Sequence, residues 1–313
     1  MKCLVTGGAG FIGSHLSERL LELGHEVTIL DNFDKYYEGK ERNIESIVND
    51  IHLINGSILD TPVLNKAAKD MDFIFHQAAQ AGVRASLDNP LKTITTNITG
   101  TVNVLHAARE QHVKGVINAS SSSVYGEIPR ERITEEHAKD PISPYGLSKL
   151  TAERYLAMFH ELFGLQTISL RYFTVYGRRH RPDMAIRIFG EALKNGGTIR
   201  IFGDGEQMRD FTHVSDIVEA NLLSMKAAKE GKGKGQVYNI GGGNTVSVND
   251  LISRMIRISG NNTDIIHEDE KQGDVKITWA DNFKARQELG WRPKIGLDEG
   301  LEDFFEWLEA GKR

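Results

Sequence analysis

The sequence has little of several features that mark particular classes of protein. It contains one cysteine in 313 residues, so no disulfide can form within the chain, and Cys3 is expected in the core of the first strand. No apolar run approaches the roughly 18 residues of a membrane-spanning helix, and no signal peptide precedes the first strand. The net charge of -5 lacks the basic excess of nucleic-acid-binding proteins. We therefore expect a cytoplasmic protein that binds neither membranes nor nucleic acid.

Metal-binding patterns are also missing. The 11 histidines show no paired ligand spacing on one helix, so we predict no metal site. What the chain does have is 40% hydrophobic and 26% charged residues, a composition typical of a folded globular protein. Its 313 residues are enough for roughly two domains.

A glycine-rich turn lies close to the start of the chain. Apolar residues 1–6 predict a buried strand, and helical spacing begins at residue 14. Between them Gly7, Gly10 and Gly13 follow the pattern G-x-x-G-x-x-G. Glycines at this spacing allow a tight turn, close approach of a pyrophosphate and tight helix packing, while N–H groups at the helix start bind phosphate. The pattern predicts a dinucleotide site.

An acidic residue, Asp31, ends the next predicted strand, 25–30. A carboxylate at this position can bind both hydroxyls of the adenosine ribose and repels a 2′-phosphate, which favours NAD over NADP. Asp31 followed by Asn32 is also good turn chemistry, so a turn role for Asp31 is the alternative.

Strand and helix patterns alternate through the first half of the chain. Such alternation predicts an α/β fold with a Rossmann-type doubly wound parallel sheet, covered by helices on both faces. After about residue 175 the alternation loosens. We therefore expect a NAD-binding domain over residues 1–175 and a smaller α/β carboxy-terminal substrate domain over 176–313, with the chain crossing between the two.

Tyr145 and Lys149 lie four residues apart at the start of a predicted helix, 145–163. Ser143 can cap this helix, and Pro144 suits its first position. Residues i and i+4 share one helical face, so the Lys149 ammonium group can lower the pKa of the Tyr145 hydroxyl and make it a general base. An ordinary amphipathic helix is the alternative.

A serine-rich segment, 119–126, follows the predicted strand 116–118. Parallel sheets bind ligands at the carboxyl ends of their strands. We therefore expect this segment to face the same crevice as the glycine turn and Tyr145, although a plain polar loop has the same composition.

Together these motifs resemble the extended short-chain dehydrogenase/reductase family, in particular its NAD-dependent nucleotide-sugar epimerases and dehydratases. The resemblance extends over essentially the whole chain. The matching residues are the three glycines, His76-Gln77-Ala78-Ala79, Asn97, residues 121–126, Tyr145 and Lys149, Arg171-Tyr172-Phe173, Gly203-Asp204-Gly205, Arg209-Asp210 and Gly273-Asp274.

The resemblance implies a role for each matching position. Tyr145 would take the proton from the sugar 4-hydroxyl while hydride passes to the nicotinamide, Lys149 would hold the nicotinamide ribose, and Ser121 would hydrogen-bond the same oxygen as Tyr145. The residues implied to bind NAD are Gly7, Gly10, Phe11, Ile12, Gly13, Asp31, Asn32, Ser57, Ile58, Gln77, Ala78, Ala79, Asn97, Ala119, Tyr145, Lys149, Tyr172 and Val175. Those implied to bind a UDP-sugar are Arg84, Ser121, Ser122, Ser123, Thr174, Arg181, Phe202, Arg209, Asp274 and Thr278.

Two positions bear on the reaction. Dehydratases of this family carry Asp-Glu directly after the catalytic threonine, and decarboxylases carry a glutamate there, whereas this chain has Ser122 and Ser123. The resemblance therefore implies return of hydride to the opposite face of a 4-keto intermediate, which is 4-epimerisation. A UDP-glucuronate decarboxylase and a non-catalytic NAD sensor are alternatives.

The spacing of Thr174 and Arg181 bears on the sugar. It resembles the pattern of UDP-glucuronate 4-epimerases, in which these residues contact the sugar carboxylate, and implies interconversion of UDP-glucuronate and UDP-galacturonate. UDP-glucose and UDP-N-acetylglucosamine are the alternatives, because Thr278 is small where some relatives carry a tyrosine that excludes N-acetyl sugars. The segment Gly177-Arg178-Arg179-His180-Arg181-Pro182 departs from the group's usual Gly-Pro-Arg-Gln-Arg-Pro, and its extra cations could assist an anionic substrate or be solvated.

The family resemblance also implies an assembly. Family members often dimerise through a four-helix bundle that includes the Tyr145 helix, so a homodimer is expected. On the far side of this helix the sequence has Leu150, Tyr155, Met158 and Phe159, which could form an interface or belong to the core.

Overall fold

The computed structural model describes residues 1–36, 39–128, 131–269 and 275–311. Its strands are β1 (Lys2–Thr6), β2 (Glu26–Asp31), β3 (His52–Asn55), β4 (Phe73–His76), β5 (Gly115–Ser121), β6 (Gln166–Tyr172), β7 (Thr174–Tyr176), β8 (Ile199–Phe202), β9 (Met208–His213), β10 (Gln236–Ile240), β11 (Thr245–Ser247) and β12 (Ile265–Glu268). Its helices are α1 (Phe11–Glu22), α2 (Lys40–Asn43), α3 (Thr61–Ala68), α4 (Val83–Asp88), α5 (Pro90–Ile94), α6 (Gly100–Glu110), α7 (Pro144–Phe163), α8 (Ala185–Asn195), α9 (Val214–Lys229), α10 (Val248–Ser259) and α11 (Leu297–Glu309).

Seven parallel strands form the central sheet, in the order β10-β6-β5-β4-β1-β2-β3. The order reverses at β1, which lies between β2 and β4. Helices cover both faces, so the predicted α/β Rossmann-type fold is confirmed. Strand β10 comes from the second half of the chain and pairs with β6 at the edge of the sheet. The division of the chain at residues 175 and 176 stays a prediction.

Both faces of the sheet are buried, which explains the continuous apolar runs in its strands. On β1, Cys3 and Val5 pack into the cluster that also contains Leu16 of α1, while Leu4 points into the cluster on the other face with Leu105 of α6. Cys3 is completely buried, as expected for a residue in the core of the first strand.

The second half of the chain adds smaller sheets and three packed helices. Strands β11, β9 and β7 form one small sheet, and β12 pairs with β8. Helices α8, α10 and α11 bury one apolar face each in a shared cluster that contains Phe189, Leu251 and Phe304. Among the described residues, no helix combines the length and apolar character that a membrane crossing requires.

Helix α7 begins where the sequence predicts. The Ser143 hydroxyl accepts a hydrogen bond from the Gly146 N–H at 3.1 Å, Pro144 occupies the first turn, and Gly164 ends the helix in the left-handed region, at φ 71°. These signals are local, because a cap satisfies N–H groups that lack partners within the helix and glycine adopts positive φ without strain. Residues next to the ends of α7 therefore set where the helix starts and stops.

Candidate active site

A cavity of about 1270 Å³ lies between the carboxyl ends of the central strands and the second half of the chain. Most residues predicted to bind cofactor or substrate line it. They are Gly7, Gly10, Phe11, Ile12, Gly13, Asp31, Asn32, Ser57, Ile58, Gln77, Ala78, Ala79, Arg84, Ala119, Ser121, Ser122, Ser123, Tyr145, Lys149, Tyr172, Thr174, Val175, Arg181, Phe202, Arg209 and Thr278. Asp274, predicted to bind the substrate, lies outside the described residues.

The glycine turn at the end of β1 has the shape of a phosphate cradle. Gly7 has φ 70°, and a Cβ atom there would lie 2.7 Å from the backbone of Ala78. A Cβ atom on Gly13 would lie 2.2 Å from the Gly7 carbonyl oxygen. Helix α1 starts at Phe11 without a side-chain cap or an acidic residue in its first turn. Its first N–H groups thus suit a pyrophosphate, and these residues fit NAD.

Asp31 at the end of β2 makes a local turn and also lines the cavity, while its binding to the adenosine ribose stays a prediction. One carboxylate oxygen accepts the Phe33 N–H at 2.9 Å, which makes a local turn, and the other accepts the Ala9 N–H at 3.1 Å. The carboxylate is thereby fixed beside the glycine turn while it lines the cavity. Lys40, which sequence reasoning missed, places its ammonium group 4.0 Å from Asp31. No motif signalled Lys40, because it lies beyond an irregular segment.

Tyr145, Lys149 and Ser121 meet at the wall of the same cavity. A side-chain hydrogen bond joins Ser121 to Tyr145. The Lys149 ammonium group lies 5.9 Å from the centre of the Tyr145 ring and donates to the Ala119 carbonyl oxygen at 2.7 Å. Close packing holds this arrangement, because a Cβ atom on Gly146 would lie 2.3 Å from the Ser123 carbonyl oxygen. Glycine after Tyr145 therefore lets the first turn of α7 touch the serine segment.

Burial dominates the electrostatics of Tyr145. It raises the pKa above the ordinary value of 10.0, and the groups that oppose this rise are the Arg181 cation and the hydrogen bond with Ser121. The Lys149 ammonium group lies beside the ring and is bonded to Ala119, and its effect on this pKa stays a prediction. Burial lowers the pKa of Lys149 to about 8, while the Glu153 carboxylate acts in the opposite direction.

A buried polar network lies directly behind Lys149. Glu153, one turn further along α7, accepts two hydrogen bonds from Arg171 of β6, at 2.9 and 2.7 Å, and one from the Ser120 hydroxyl of β5 at 2.5 Å. Arg171 also donates to the Tyr125 hydroxyl at 2.7 Å. The network ties α7 to β5, which leads into the serine segment, and to the neighbouring strand β6. Sequence reasoning noted Arg171 only as part of a motif and missed Glu153, although its spacing from Lys149 is helical.

Asn97 was predicted to bind NAD, but the structure places it behind the cavity wall. It lies in a π-helical turn, Thr95–Thr99, between α5 and α6. Its side chain accepts the Gln80 N–H at 2.8 Å and donates to the Gln80 carbonyl oxygen at 3.1 Å and to Ser148 at 2.9 Å. This side chain is 2% exposed, which leaves it no surface for direct contact. Asn97 therefore shapes the Gln80 loop, and the prediction of direct contact is corrected.

Gln77 and Tyr172 line the cavity as predicted and are held by one another. The Gln77 amide donates to the Tyr172 hydroxyl at 3.3 Å and to Asn221 at 3.1 Å, and Asn221 donates to the same hydroxyl at 2.8 Å. These bonds join the end of β4 to β6 and α9 at the cavity wall.

The substrate end of the cavity brings the two halves of the chain together. Phe202, at the end of β8, lines the cavity. The Arg84 guanidinium lies 5.0 Å from the centre of its ring. Thr278 lies beside this region and its hydroxyl accepts the Asp210 N–H at 3.2 Å. The Asp210 carboxylate accepts the Gly243 and Ala280 N–H groups, which holds three loops in place.

Arg178 and Arg179 of the 178–181 loop are both paired with carboxylates. Arg178 donates to Asp303 of α11 at 2.6 Å, and Arg179 donates to Glu18 of α1 at 2.6 Å and to Ser14 at 3.2 Å. Both pairs anchor the loop to helices on either side of it. The Arg178 side chain stays 43% exposed, and sequence reasoning did not foresee these pairs because the carboxylates are distant in sequence.

Known proteins resemble this chain over its whole length. The family model described as the NAD dependent epimerase/dehydratase family matches residues 3–241. A UDP-glucuronate 4-epimerase of Thermodesulfobacterium geofontis is 37% identical, over 97% of this chain and 95% of that protein. The UDP-glucose 4-epimerase of Thermotoga maritima has a TM-score of 0.93 and 36% identity, with both chains covered completely.

A third relative acts on another sugar. The UDP-N-acetylglucosamine 4-epimerase of Methanobrevibacter ruminantium M1 has a TM-score of 0.91 and 34% identity, over 99% of this chain and 98% of that one. These three relatives are named for different sugars, although their sequence identities to this chain are nearly the same. With the glycine cradle, Asp31 and the Tyr145 cluster in one cavity, the conclusion from geometry and comparison is the same: this chain belongs to the NAD dependent epimerase/dehydratase family.

Proposed function

We propose that this protein is an NAD-dependent UDP-sugar 4-epimerase, an isomerase. The observation that carries the proposal is that Tyr145, Ser121 and Lys149 lie in the cavity that also contains the glycine cradle. Bound NAD supplies the acceptor, and later the donor, of the hydride. Tyr145 takes the proton of the sugar 4-hydroxyl and returns it, and Ser121 hydrogen-bonds the same oxygen.

The acidic residues of the cavity argue against elimination and decarboxylation. Among the described residues that line it, the carboxylates are Asp31, Asp34 and Asp183. Asp31 is fixed beside the glycine turn, Asp34 accepts Lys92 at 2.9 Å, and Asp183 is paired with Arg181. Ser122 and Ser123 stand beside Ser121 in place of an acid. A reaction that needs only proton and hydride transfer at C4 is the one this set of groups serves.

We propose UDP-glucuronate, interconverted with UDP-galacturonate, as the substrate. Thr174 and Arg181 both line the cavity, and the Arg181 charge is close enough to Tyr145 to lower its pKa. A guanidinium near the reacting centre can hold the C5 carboxylate through charge-assisted hydrogen bonds. Such bonds also resist loss of carbon dioxide from the keto acid formed at C4.

Neutral UDP-hexoses are the second candidate, and one observation favours them. Asp183 already offsets the Arg181 charge through two hydrogen bonds, so the cavity is less cationic than the sequence indicates. The small Thr278 side chain also leaves space near the substrate end. Arg181, Asp183 and Thr278 are therefore the residues expected to decide between acidic and neutral sugars.

Substrate profiling tests both candidates. Purified protein is incubated separately with UDP-glucuronate, UDP-glucose and UDP-N-acetylglucosamine, and the products are resolved by chromatography. We expect UDP-galacturonate from UDP-glucuronate. Formation of UDP-xylose alone, or turnover confined to the neutral sugars, would contradict the proposed substrate.

An Arg181→Ala variant tests the role of the guanidinium. Removal of one partner of a desolvated charge pair costs about 2 kcal/mol or more, so kcat/KM for UDP-glucuronate should fall roughly 30-fold relative to that for UDP-glucose. Arg200→Ala is the matched control, because Arg200 also lines the cavity but pairs with Glu268 at 2.6 Å. Its effect should be the same for both sugars. An equal loss on both sugars in Arg181→Ala would assign Arg181 to the diphosphate or the fold.

We also propose a homodimer. Helices α5 and α7 pack side by side and expose apolar side chains on their outer surface: Leu91 is 75% exposed, Leu147 54% and Leu162 64%. Met158 is 39% exposed on the same helix α7, whereas Phe159 is buried in the core. Several exposed apolar side chains on two adjacent helices are typical of a subunit interface.

A further inference from the structure

Arg181, the residue proposed to bind the sugar carboxylate, is itself held by two other side chains. Its Nε and Nη2 atoms donate to the two carboxylate oxygens of Asp183, at 2.9 and 2.5 Å. The Tyr36 hydroxyl donates to one of these oxygens at 2.9 Å, and the Arg181 guanidinium lies 5.6 Å from the centre of the Tyr36 ring. Asp183 thus receives three hydrogen bonds from two side chains.

The three side chains come from distant parts of the chain. Arg181 and Asp183 belong to the loop between β7 and α8, while Tyr36 follows β2 on the cofactor side of the cavity. A third segment completes the contact at Gly82, whose φ is 105°. A Cβ atom on Gly82 would lie 3.1 Å from the Tyr36 hydroxyl and 3.4 Å from Arg181 Nη2. Glycine at this position therefore leaves room for the hydroxyl and the guanidinium to meet.

The guanidinium is the most buried member of this cluster. The Arg181 side chain is 14% exposed and that of Asp183 38% exposed, and Tyr36 is 36% exposed. Burial acts to raise the pKa of Asp183, but the hydrogen bonds from Arg181 and Tyr36 lower it overall, so the carboxylate stays ionised. Burial and the Asp183 charge raise the pKa of Tyr36, which keeps its hydroxyl protonated and able to donate. Each group is thus in the form that its hydrogen bonds require.

A guanidinium on a flexible side chain loses conformational freedom when it binds a ligand. A side-on pair with a carboxylate removes much of that freedom in advance and fixes the plane of the guanidinium. We propose that Asp183 and Tyr36 are positioning residues that orient Arg181 toward the sugar C5 carboxylate, and so set selectivity for acidic over neutral UDP-sugars. This inference rests on the proposed epimerisation of UDP-glucuronate.

Two conservative variants test the proposal. Tyr36→Phe removes the hydroxyl and keeps the ring, and Asp183→Asn keeps the shape and removes the charge. For both, kcat/KM for UDP-glucuronate should fall about tenfold, mostly through KM, while kcat/KM for UDP-glucose changes less than about twofold. Calorimetric titration should show the same difference, with weaker binding of UDP-glucuronate and unchanged binding of UDP-glucose.

Two controls separate positioning from general damage. The selectivity ratio is kcat/KM for UDP-glucuronate divided by kcat/KM for UDP-glucose. In an Arg181→Ala background, Tyr36→Phe should not change this ratio further, because Tyr36 acts through Arg181. Arg200→Ala breaks a pair outside the cluster, between Arg200 and Glu268 at 2.6 Å, and should leave the ratio of kcat/KM for UDP-glucuronate to that for UDP-glucose as in the wild type.

The outcomes distinguish this inference from the proposed function. If the wild-type protein does not turn over UDP-glucuronate, the proposed substrate is wrong and the inference falls with it. If the wild type does so and Tyr36→Phe leaves the ratio unchanged, the inference alone is overturned. An increase of the ratio in Asp183→Asn would also overturn it, because Asp183 would then compete with the substrate for Arg181.

Discussion

At the scale of single residues, Tyr145 is the group whose chemistry the site depends on most. We expect Tyr145→Phe to lower kcat at least about 100-fold, because removal of a general base from a proton-transfer step typically costs this much or more. Binding of UDP-sugar, measured by calorimetric titration, should change little, since the ring is retained. Turnover close to the wild-type rate would mean that another group takes the proton.

Lys149 gives a prediction about pH. Its pKa is lowered to about 8 by burial, so the ammonium form declines as pH rises through about 8 instead of through its ordinary value of 10.5. If the proposed reaction uses the charged form, kcat/KM should fall on the alkaline side with an apparent pKa close to 8. In Lys149→Arg the guanidinium stays charged over this range, and the residual activity should lack that decline. A wild-type profile that is flat to pH 10 would contradict the assignment.

At the scale of elements, the pair of Glu153 and Arg171 joins α7 to β6. Both side chains are almost completely buried, and their contact is bidentate. Glu153→Gln leaves the Arg171 charge without its carboxylate, so we expect a loss of about 3 to 5 kcal/mol in the free energy of unfolding, measured with denaturant. Glu161→Gln, on the exposed end of the same helix, is the control and should change stability by less than about 0.5 kcal/mol. Equal effects of the two variants would contradict the structural role of the buried pair.

Sequence reasoning predicted the ends of helices and the turns most successfully. The bounds of α7 follow from Ser143, Pro144 and Gly164, and the glycine turn follows from the order of strand, glycines and helix, because caps and turns are decided by neighbouring residues. The network behind Lys149 was not predicted. Its members lie on α7, β5 and β6, and their contact depends on how those elements pack.

At the scale of the whole molecule, the exposed faces of α5 and α7 lead to a prediction about assembly. We expect light scattering to give twice the chain mass of 34.9 kDa. Leu91→Lys should shift the protein toward the monomer, because a charge would be buried at the apolar interface. Leu23→Lys introduces the same charge at a residue that is 46% exposed at the end of α1, and should leave the mass unchanged. A wild-type mass of one chain would contradict the homodimer.

The substrate end shows where sequence reasoning reached its limit. Arg181 was identified from a motif, and it does line the cavity. Tyr36, which is 147 residues from its hydrogen-bond partner Asp183, had no recognisable signal. The pairs of Arg179 with Glu18 and of Arg178 with Asp303 were not predicted either, because these carboxylates lie far from the arginines in sequence. Asn97 was predicted to contact NAD because the family motif contains it. In the structure its side chain is hydrogen-bonded to Gln80 and Ser148 instead.

The sequence by itself determined the α/β class, the parallel sheet, the glycine cradle and the start of α7. These depend on periodicity, caps and turns, which act over a few residues. Only the tertiary structure decided which charges meet: Arg181 with Asp183 and Tyr36, Arg179 with Glu18, and Glu153 with Arg171. Such pairs form between elements, so their strength depends on the distance and burial that packing creates, and these quantities set both the pKa of Lys149 and the environment of the sugar.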